Sequence, residues 1–352
     1  MTPINLRFWW NIGSILGLLL LVQIGRGFLL TFYFSTENRF YNLLTTYYEV
    51  LNRKLIQIIH INFSRVIFFF LYLHIFKAIY FSTFSNQFWA WMRGSAIMLI
   101  VIGISFLGYV LPWGQISLWG ATVITNLISI LPYGTSIVEV IWGGYFVSTY
   151  TLKLFYSLHF ILPFILLVFI IIHMIFLHYK GSSNPLSLGC ELVKIEFSPF
   201  FILKDLINLI LVLTLMGCVF LRPNRVAESD NFIVANIMAS PLHIKPEWYF
   251  LQYYSILRAI PNKTGGLIFF FLSILSLVLI GVFKNLVRFK VVAIWKFWAI
   301  VFLTINCLLV WLGAKPVVAP FQQLSQILTL RYFLWYFFLI FFRKIFKKIN
   351  YC

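Results

Sequence analysis

Eight times along its 352 residues this chain runs apolar for about the thickness of a lipid bilayer, and that recurrence decides most of what it can fold into. A hydrocarbon core about 30 Å thick takes roughly 20 residues of helix. The stretches Ile12 to Phe34, Leu55 to Phe81, Trp89 to Val110, Thr151 to Leu177, Phe200 to Leu221, Leu267 to Phe283, Val291 to Leu312 and Ser325 to Phe342 fit that length. The expected fold class is an all-α membrane protein with eight transmembrane helices. Charge agrees: only 10% of residues are Asp, Glu, Lys or Arg, against about 25% in an ordinary soluble domain. The first apolar stretch is longer than a signal peptide's hydrophobic region and no small-residue cleavage site follows it, so a cleavable signal is not expected.

Lys and Arg number 27 against 9 Asp and Glu, a net charge of +18. The basic residues are scattered among apolar spans instead of lining one face, so they fit loops touching anionic lipid, not nucleic-acid binding. An even number of spans places both termini on one side. Arg343, Lys344, Lys347 and Lys348 in the tail, with Lys284, Arg288 and Lys290 in the sixth-to-seventh loop, favour the positive side for them. The opposite loops carry Arg222, Arg225, Lys245 and Lys263. Cys190, Cys218, Cys307 and Cys352 form no C-x-x-C, so neither a covalently attached cofactor, an iron–sulfur cluster nor a disulfide framework is expected. Two connections, Leu111 to Tyr150 and Arg222 to Gly266, are too long for turns and both fall on the outer side. WGQISLWGATVITNL in the first and PEWYFLQYYSILR in the second read as short helices lying at the membrane surface.

Four of the six histidines fall inside spans, where ionisable side chains are costly and mark function. His60 and His74 are 14 apart on the second span, and His159 and His173 are 14 apart on the fourth. Fourteen residues are close to four helical turns, so each pair shares one face about 21 Å apart along the axis. Glycine repeats the spacing: Gly13 and Gly27 on the first span, Gly94 and Gly108 on the third. Since successive spans alternate in direction, an inner level collects Gly13, His74, Gly94 and His173, and an outer level collects Gly27, His60, Gly108 and His159. Neutral imidazole is a standard axial ligand of haem iron, and glycine lets a flat macrocycle approach a backbone. Two bis-histidine haems in a four-helix bundle account for the whole pattern. A transporter relaying protons through membrane histidines would account for the histidines but gives no reason for the glycines, and small residues alone also serve helix packing.

Longer motifs then carry a resemblance over nearly the whole chain. FWWNIGSILG, GYVLPWGQISLWGATVITNL, LHFILPF, HMIFLH, PEWYF, RAIPNK and KPVVAPF resemble the mitochondrial cytochrome b family, the haem-bearing core subunit of the cytochrome bc complex, complex III. The resemblance implies residues 1–200 as a di-haem four-helix bundle with outer surface helices, and residues 201–352 as a second membrane region of four helices with the PEWY-containing loop. It implies His60 and His159 as ligands of a low-potential haem b on the outer side, and His74 and His173 as ligands of a high-potential haem b on the inner side. Gln23 and Lys77 match haem-contact positions, Lys77 standing where an Arg near a propionate is usual. Two further arginines of the family are replaced by Gln57 and Leu154, and Arg26 and Arg65 are candidates to compensate.

By the same resemblance an outer quinol-oxidation site maps onto Phe106, Tyr109, Gly114, Gly120, Ile124, Glu247, Tyr249 and Tyr254. Oxidising a quinol releases protons, and Glu247 is the one acid in an otherwise apolar, aromatic set. Following Pro246, it would also suit the start of a helix. Gly114 and Gly120 are expected to leave room for a ring. The inner quinone-reduction site maps onto Trp10, Asn11, Gly17, His178, Ser182, Phe197 and Asp205, with His178 and Asp205 as the proton donors. His243 carries no expected role beyond structure or partner contact. The implied activity is that of a quinol:cytochrome c oxidoreductase subunit using ubiquinone or ubiquinol. Implied partners are a Rieske iron–sulfur subunit, a c-type cytochrome, other complex III subunits and membrane lipids, in a homodimer of the mitochondrial inner membrane with both termini on the matrix side.

Overall fold

The computed structural model describes residues 2–185, 194–225, 227–282 and 292–349, with side chains as far as Phe338 in the last helix. Lys284, Arg288, Lys290, Cys190 and Cys352 lie outside the described residues, as do the side chains of the basic tail. In chain order the helices are α1 (Ile12–Thr31), α2 (Arg39–Glu49), α3 (Arg53–Tyr80), α4 (Thr83–Asn86), α5 (Phe88–Val110), α6 (Gln115–Asn126) and α7 (Gly134–Trp142). They continue with α8 (Thr149–Lys180), α9 (Phe200–Leu221), α10 (Leu251–Ala259), α11 (Lys263–Val282), α12 (Val292–Gly313) and α13 (Phe321–Ile349).

Among the described residues α1, α3, α5, α8, α9, α11 and α12 are long and apolar enough to cross a membrane. The expected eighth, α13, forms as a helix of 29 residues. Its first half carries Gln322, Gln323, Gln326 and Arg331, and it buries Tyr332, Trp335 and Tyr336 against the rest of the fold. α6 and α7 are the short helices expected in the first long connection. The amphipathic α2, between the first two spans, is not marked by any long apolar run and was not expected.

α1 packs along α3, and α5 along α8. Ile12, Ile15 and Leu19 of α1 and Ile59, Phe63 and Phe68 of α3 are fully buried. α8 shows the opposite surface: Ile171 and Ile175 are each 60% exposed, an apolar face that suits lipid tails. Its start is fixed by a capping box, in which Ser148 Oγ accepts from the Tyr150 N–H and Thr151 Oγ1 from the Ser148 N–H. The second half of the chain closes on the first, with α9 against α1 and α3 and α12 against α3. Indole donors tie these layers where no water can compete: Trp91 Nε1 donates to the Leu277 carbonyl at 2.8 Å and Trp295 Nε1 to the Ile79 carbonyl at 2.7 Å.

Candidate functional site

The 14-residue spacing does what helix geometry requires of it. α3 and α8 present His60 and His159 to each other with ring centroids 6.3 Å apart and planes at 87°. An imidazole nitrogen sits about 2 Å from a metal it binds, so two rings facing one ion from opposite sides have centroids about 6 Å apart. His159 Nδ1–H donates to the Ile104 carbonyl at 2.8 Å, which fixes the tautomer and leaves Nε2 with its lone pair free. Gln23 Nε2 donates to the His60 carbonyl at 2.9 Å, locking α1 to α3 at the turn that carries His60. At the inner level His74 and His173 lie within electrostatic reach of each other.

The glycines pair with the histidines level by level, as the alternating register predicts. A Cβ on Gly108 would fall 2.5 Å from His159 Cε1, on Gly27 3.0 Å from His60 Cε1, on Gly94 3.3 Å from His173 Cε1, and on Gly13 3.6 Å from His74 Cε1. Each glycine therefore clears an imidazole of its own helix pair, and the space it opens belongs first to that ring. Among the described residues no three or more His, Cys, Asp or Glu gather as a metal set. Two opposed imidazoles alone do not complete a tetrahedral zinc site, but they do complete a haem, whose macrocycle supplies the four equatorial nitrogens. The residues present fit that group.

The outer pair lines a cavity of about 480 Å³ that also reaches Gln23, Gly27, Gly108, Tyr109, Glu247 and Tyr249. Glu247 is buried and its carboxylate is held two-pronged by Arg65, with Nε to Oε2 at 2.9 Å and Nη2 to Oε1 at 2.5 Å. Arg65 Nη1 donates to Asn62 Oδ1 at 3.2 Å. This corrects the expectation for Arg65: its charge is already paired with Glu247, and three of its donors go to Glu247 and Asn62. Arg26, unlike Arg65, is not among the residues that line the cavity. Tyr249 stacks on Phe68 with centroids 3.9 Å apart and planes 2° apart. Burial first, and then the Glu247 charge, push its phenol up, so it stays a protonated donor.

Other outer residues stand elsewhere. Phe106, Gly114, Gly120, Ile124 and Tyr254 do not line this cavity. Gly114 opens α6 tight against Asn231, whose backbone carbonyl and carboxamide occupy the place of a Cβ, so its role is close packing of two loops and not room for a ring. Gly120 faces open space. Phe106 packs on Phe155 at 5.8 Å, and Tyr254 donates to the Ile244 carbonyl at 3.3 Å under the Arg258 guanidinium.

At the other end, Asp205 Oδ1 accepts from Asn11 Nδ2 at 3.1 Å, Ser14 Oγ at 2.9 Å and Asn208 Nδ2 at 3.0 Å. Asp205 is thus the hub joining α1 to α9, with its second oxygen outside these bonds. Trp10 Nε1 donates to Ser183 Oγ at 3.4 Å, one residue past the expected Ser182. Lys77 Nζ lies 4.4 Å over the Trp10 ring. Gly17 faces open space, Phe197 stacks on Phe201, and His178 is exposed at the end of α8. Ser14 and Asn208 were missed in the sequence, although each is a polar residue three positions from a predicted one within an apolar span.

Comparison with known proteins meets this geometry at both ends of the chain. The family described as Cytochrome b/b6/petB matches residues 1–181, and Cytochrome b(C-terminal)/b6/petD matches residues 234–333. Among solved structures, a chain of a "Hyperthermophilic respiratory Complex III" is similar with a TM-score of 0.89 and 25% identity, over 98% of this chain and 93% of that one. With two family regions in order and the same fold from end to end, the chain belongs to the cytochrome b family, whose members bind haem b.

Proposed function

We propose that this chain is the redox subunit of a quinol:cytochrome c oxidoreductase, with a quinol-oxidation site at the outer level and a quinone-reduction site at the inner level. The observation that carries the reading is the His60–His159 pair at 6.3 Å, glycine-backed on both sides and opening onto the cavity that reaches Glu247. His60 with His159, and His74 with His173, hold two haem b groups. When bound, these supply one-electron redox chemistry between ubiquinol at the outer site and ubiquinone at the inner site.

The chain's own groups handle position, water and protons. Apolar α3 and α8 exclude water from the two ligand levels. At the outer site Glu247 takes up a quinol proton, and Arg65 holds its carboxylate in place until then. Tyr249, neutral and rigid against Phe68, supplies a donor beside it. At the inner site Asp205, anchored through one oxygen by Asn11, Ser14 and Asn208, keeps the other for a quinone or its proton, with His178 as the second proton group. Release of protons outside and uptake inside couples electron transfer to a membrane potential.

The reading includes a Rieske iron–sulfur subunit and a c-type cytochrome as electron acceptors, further complex III subunits, and a homodimeric complex. It places the chain in the mitochondrial inner membrane with both termini on the matrix side, supported by the motif resemblance and the basic tail. The reduced-minus-oxidised absorption spectrum of the purified complex tests it. Two b-type haems per chain are expected, with one lost in His159→Ala; the absence of any b-type signal would overturn it and is what a histidine proton relay would give.

A further inference from the structure

Two arginines in the outer-level cavity have no acidic partner among the described residues. Arg39 opens α2 and Arg53 opens α3; they are 8% and 2% exposed, and both line the cavity shared by His60 and His159. Arg39 Nε donates to the Leu111 carbonyl at 2.8 Å, and its guanidinium lies 4.5 Å over Phe34. Phe34 in turn stacks on Tyr156 of α8 at 3.8 Å, three residues before His159. The Arg53 guanidinium lies 4.9 Å over Tyr33. Aromatic faces and a carbonyl thus fix both forks, yet Arg39 Nη1 and Arg53 Nε and Nη1 are buried with no hydrogen-bond partner. Among the described residues the only ion pair is Arg65–Glu247, so neither arginine is neutralised by a described residue.

Such an arrangement is costly as it stands. A buried charge without a counter-ion is strongly disfavoured, and here two like charges share one cavity. Burial first, and repulsion from Arg53 second, lower Arg39 to about 10, which still leaves it charged at neutral pH. What relieves two buried guanidiniums is a pair of anionic oxygen groups, and the planar fork fits a carboxylate. Arg53 stands seven residues before His60, nearly two helical turns or about 10 Å along the same face of α3, with Gln57 between them. The cavity therefore runs from a metal-ligating imidazole pair at one end to two unpaired forks at the other.

We propose that Arg39 and Arg53 clamp the two propionate carboxylates of the haem held between His60 and His159. The inference rests on the haem reading above. It supplies the charge partners that Gln57 and Leu154 cannot, and it assigns them to residues other than Arg26 and Arg65. An anionic lipid phosphate reaching the same forks would share the chemistry, and the test separates the two sources.

The experiment uses the intact complex with Arg39→Gln/Arg53→Gln and Arg39→Lys/Arg53→Lys, read by potentiometric titration of each haem, haem and phospholipid content, and infrared difference spectra with propionate-labelled haem. The glutamine variant is expected to lower the midpoint potential of the His159-dependent haem, weaken its retention tenfold or more, and shift its labelled carboxylate bands. The other haem stays unmoved and reports correct folding, and the lysine variant restores most of the shift. Unchanged potential and unchanged carboxylate bands in the glutamine variant would overturn the clamp, as would loss of bound phospholipid with the haem unaffected. If the double variant does not assemble, Arg53→Gln alone carries the same expectations. Failure of the haem reading looks different: His159→Ala would then remove no haem from the parent complex.

Discussion

A methyl group added at Gly108 would fall 2.5 Å from His159 Cε1 and one at Gly27 3.0 Å from His60 Cε1, while at the inner level the matching clearances are 3.3 Å at Gly94 and 3.6 Å at Gly13. The two levels repeat one another in residue type and spacing but not in tightness. At the outer level the His159 ring is bonded to Ile104 and α1 is bonded to α3 through Gln23, so the imidazoles sit where the backbone puts them. The levels also differ in charge. The outer one holds three buried guanidiniums, one paired with Glu247 and two without an acid. At the inner one Lys77 lies over Trp10 and Arg93 over Trp89 and Phe176, and the acid, Asp205, is satisfied by neutral donors. A repeat in sequence therefore fixes where ligands stand, whereas the residues between repeats set how tightly and in what field they stand.

That contrast can be broken at several points. The largest effect is expected at the outer ion pair: Arg65→Ala leaves Glu247 buried and uncompensated, costing about 3–5 kcal/mol, read as a lowered melting temperature of the complex, and replacing both partners by apolar residues of similar size recovers most of it. Glu247→Gln keeps the shape and removes the proton acceptor, so quinol-dependent cytochrome reduction should fall about 10²-fold or more with both haems retained; an unchanged rate would remove Glu247 from the chemistry. Overpacking costs about 1–3 kcal/mol where neighbours cannot give way, so Gly108→Ala should displace His159 and lower outer-haem occupancy, while Gly13→Ala should leave both haems in place. Equal haem loss in the two alanine variants would show that the levels are equally tight. The smallest effect is expected at Ser14→Ala, which removes one of three donors to Asp205 and should cost about 1 kcal/mol, measured by the same melting experiment.

Much of this was legible in the sequence because it rests on periodicity. Apolar length marks the spans, and a shared spacing of 14 leaves the His–His pairings on two parallel helices, and the Gly–His pairings on antiparallel neighbours, little freedom. What was not legible depends on where side chains of non-periodic residues meet. Arg65 sits five residues past His60, and nothing in its own segment shows that Glu247, 182 residues on, reaches it. Arg39 lies in α2, a short amphipathic helix with no apolar run to mark it. Gly114 was read as space for a ring because glycine looks alike whether it clears a ligand or a loop; the Asn231 backbone against it decides for the loop. Asp205 was identified, but its partners Ser14 and Asn208 are small polar residues that an apolar span absorbs without breaking its pattern.

The pairing of α3 with α8 across two levels is the claim on which the rest depends, and single-histidine variants of the complex test it directly by haem-resolved redox titration. His60→Ala and His159→Ala should remove the same haem and leave the other titrating at its parental potential, and His74→Ala and His173→Ala should do the converse. Loss of different haems from His60→Ala and His159→Ala would contradict the account.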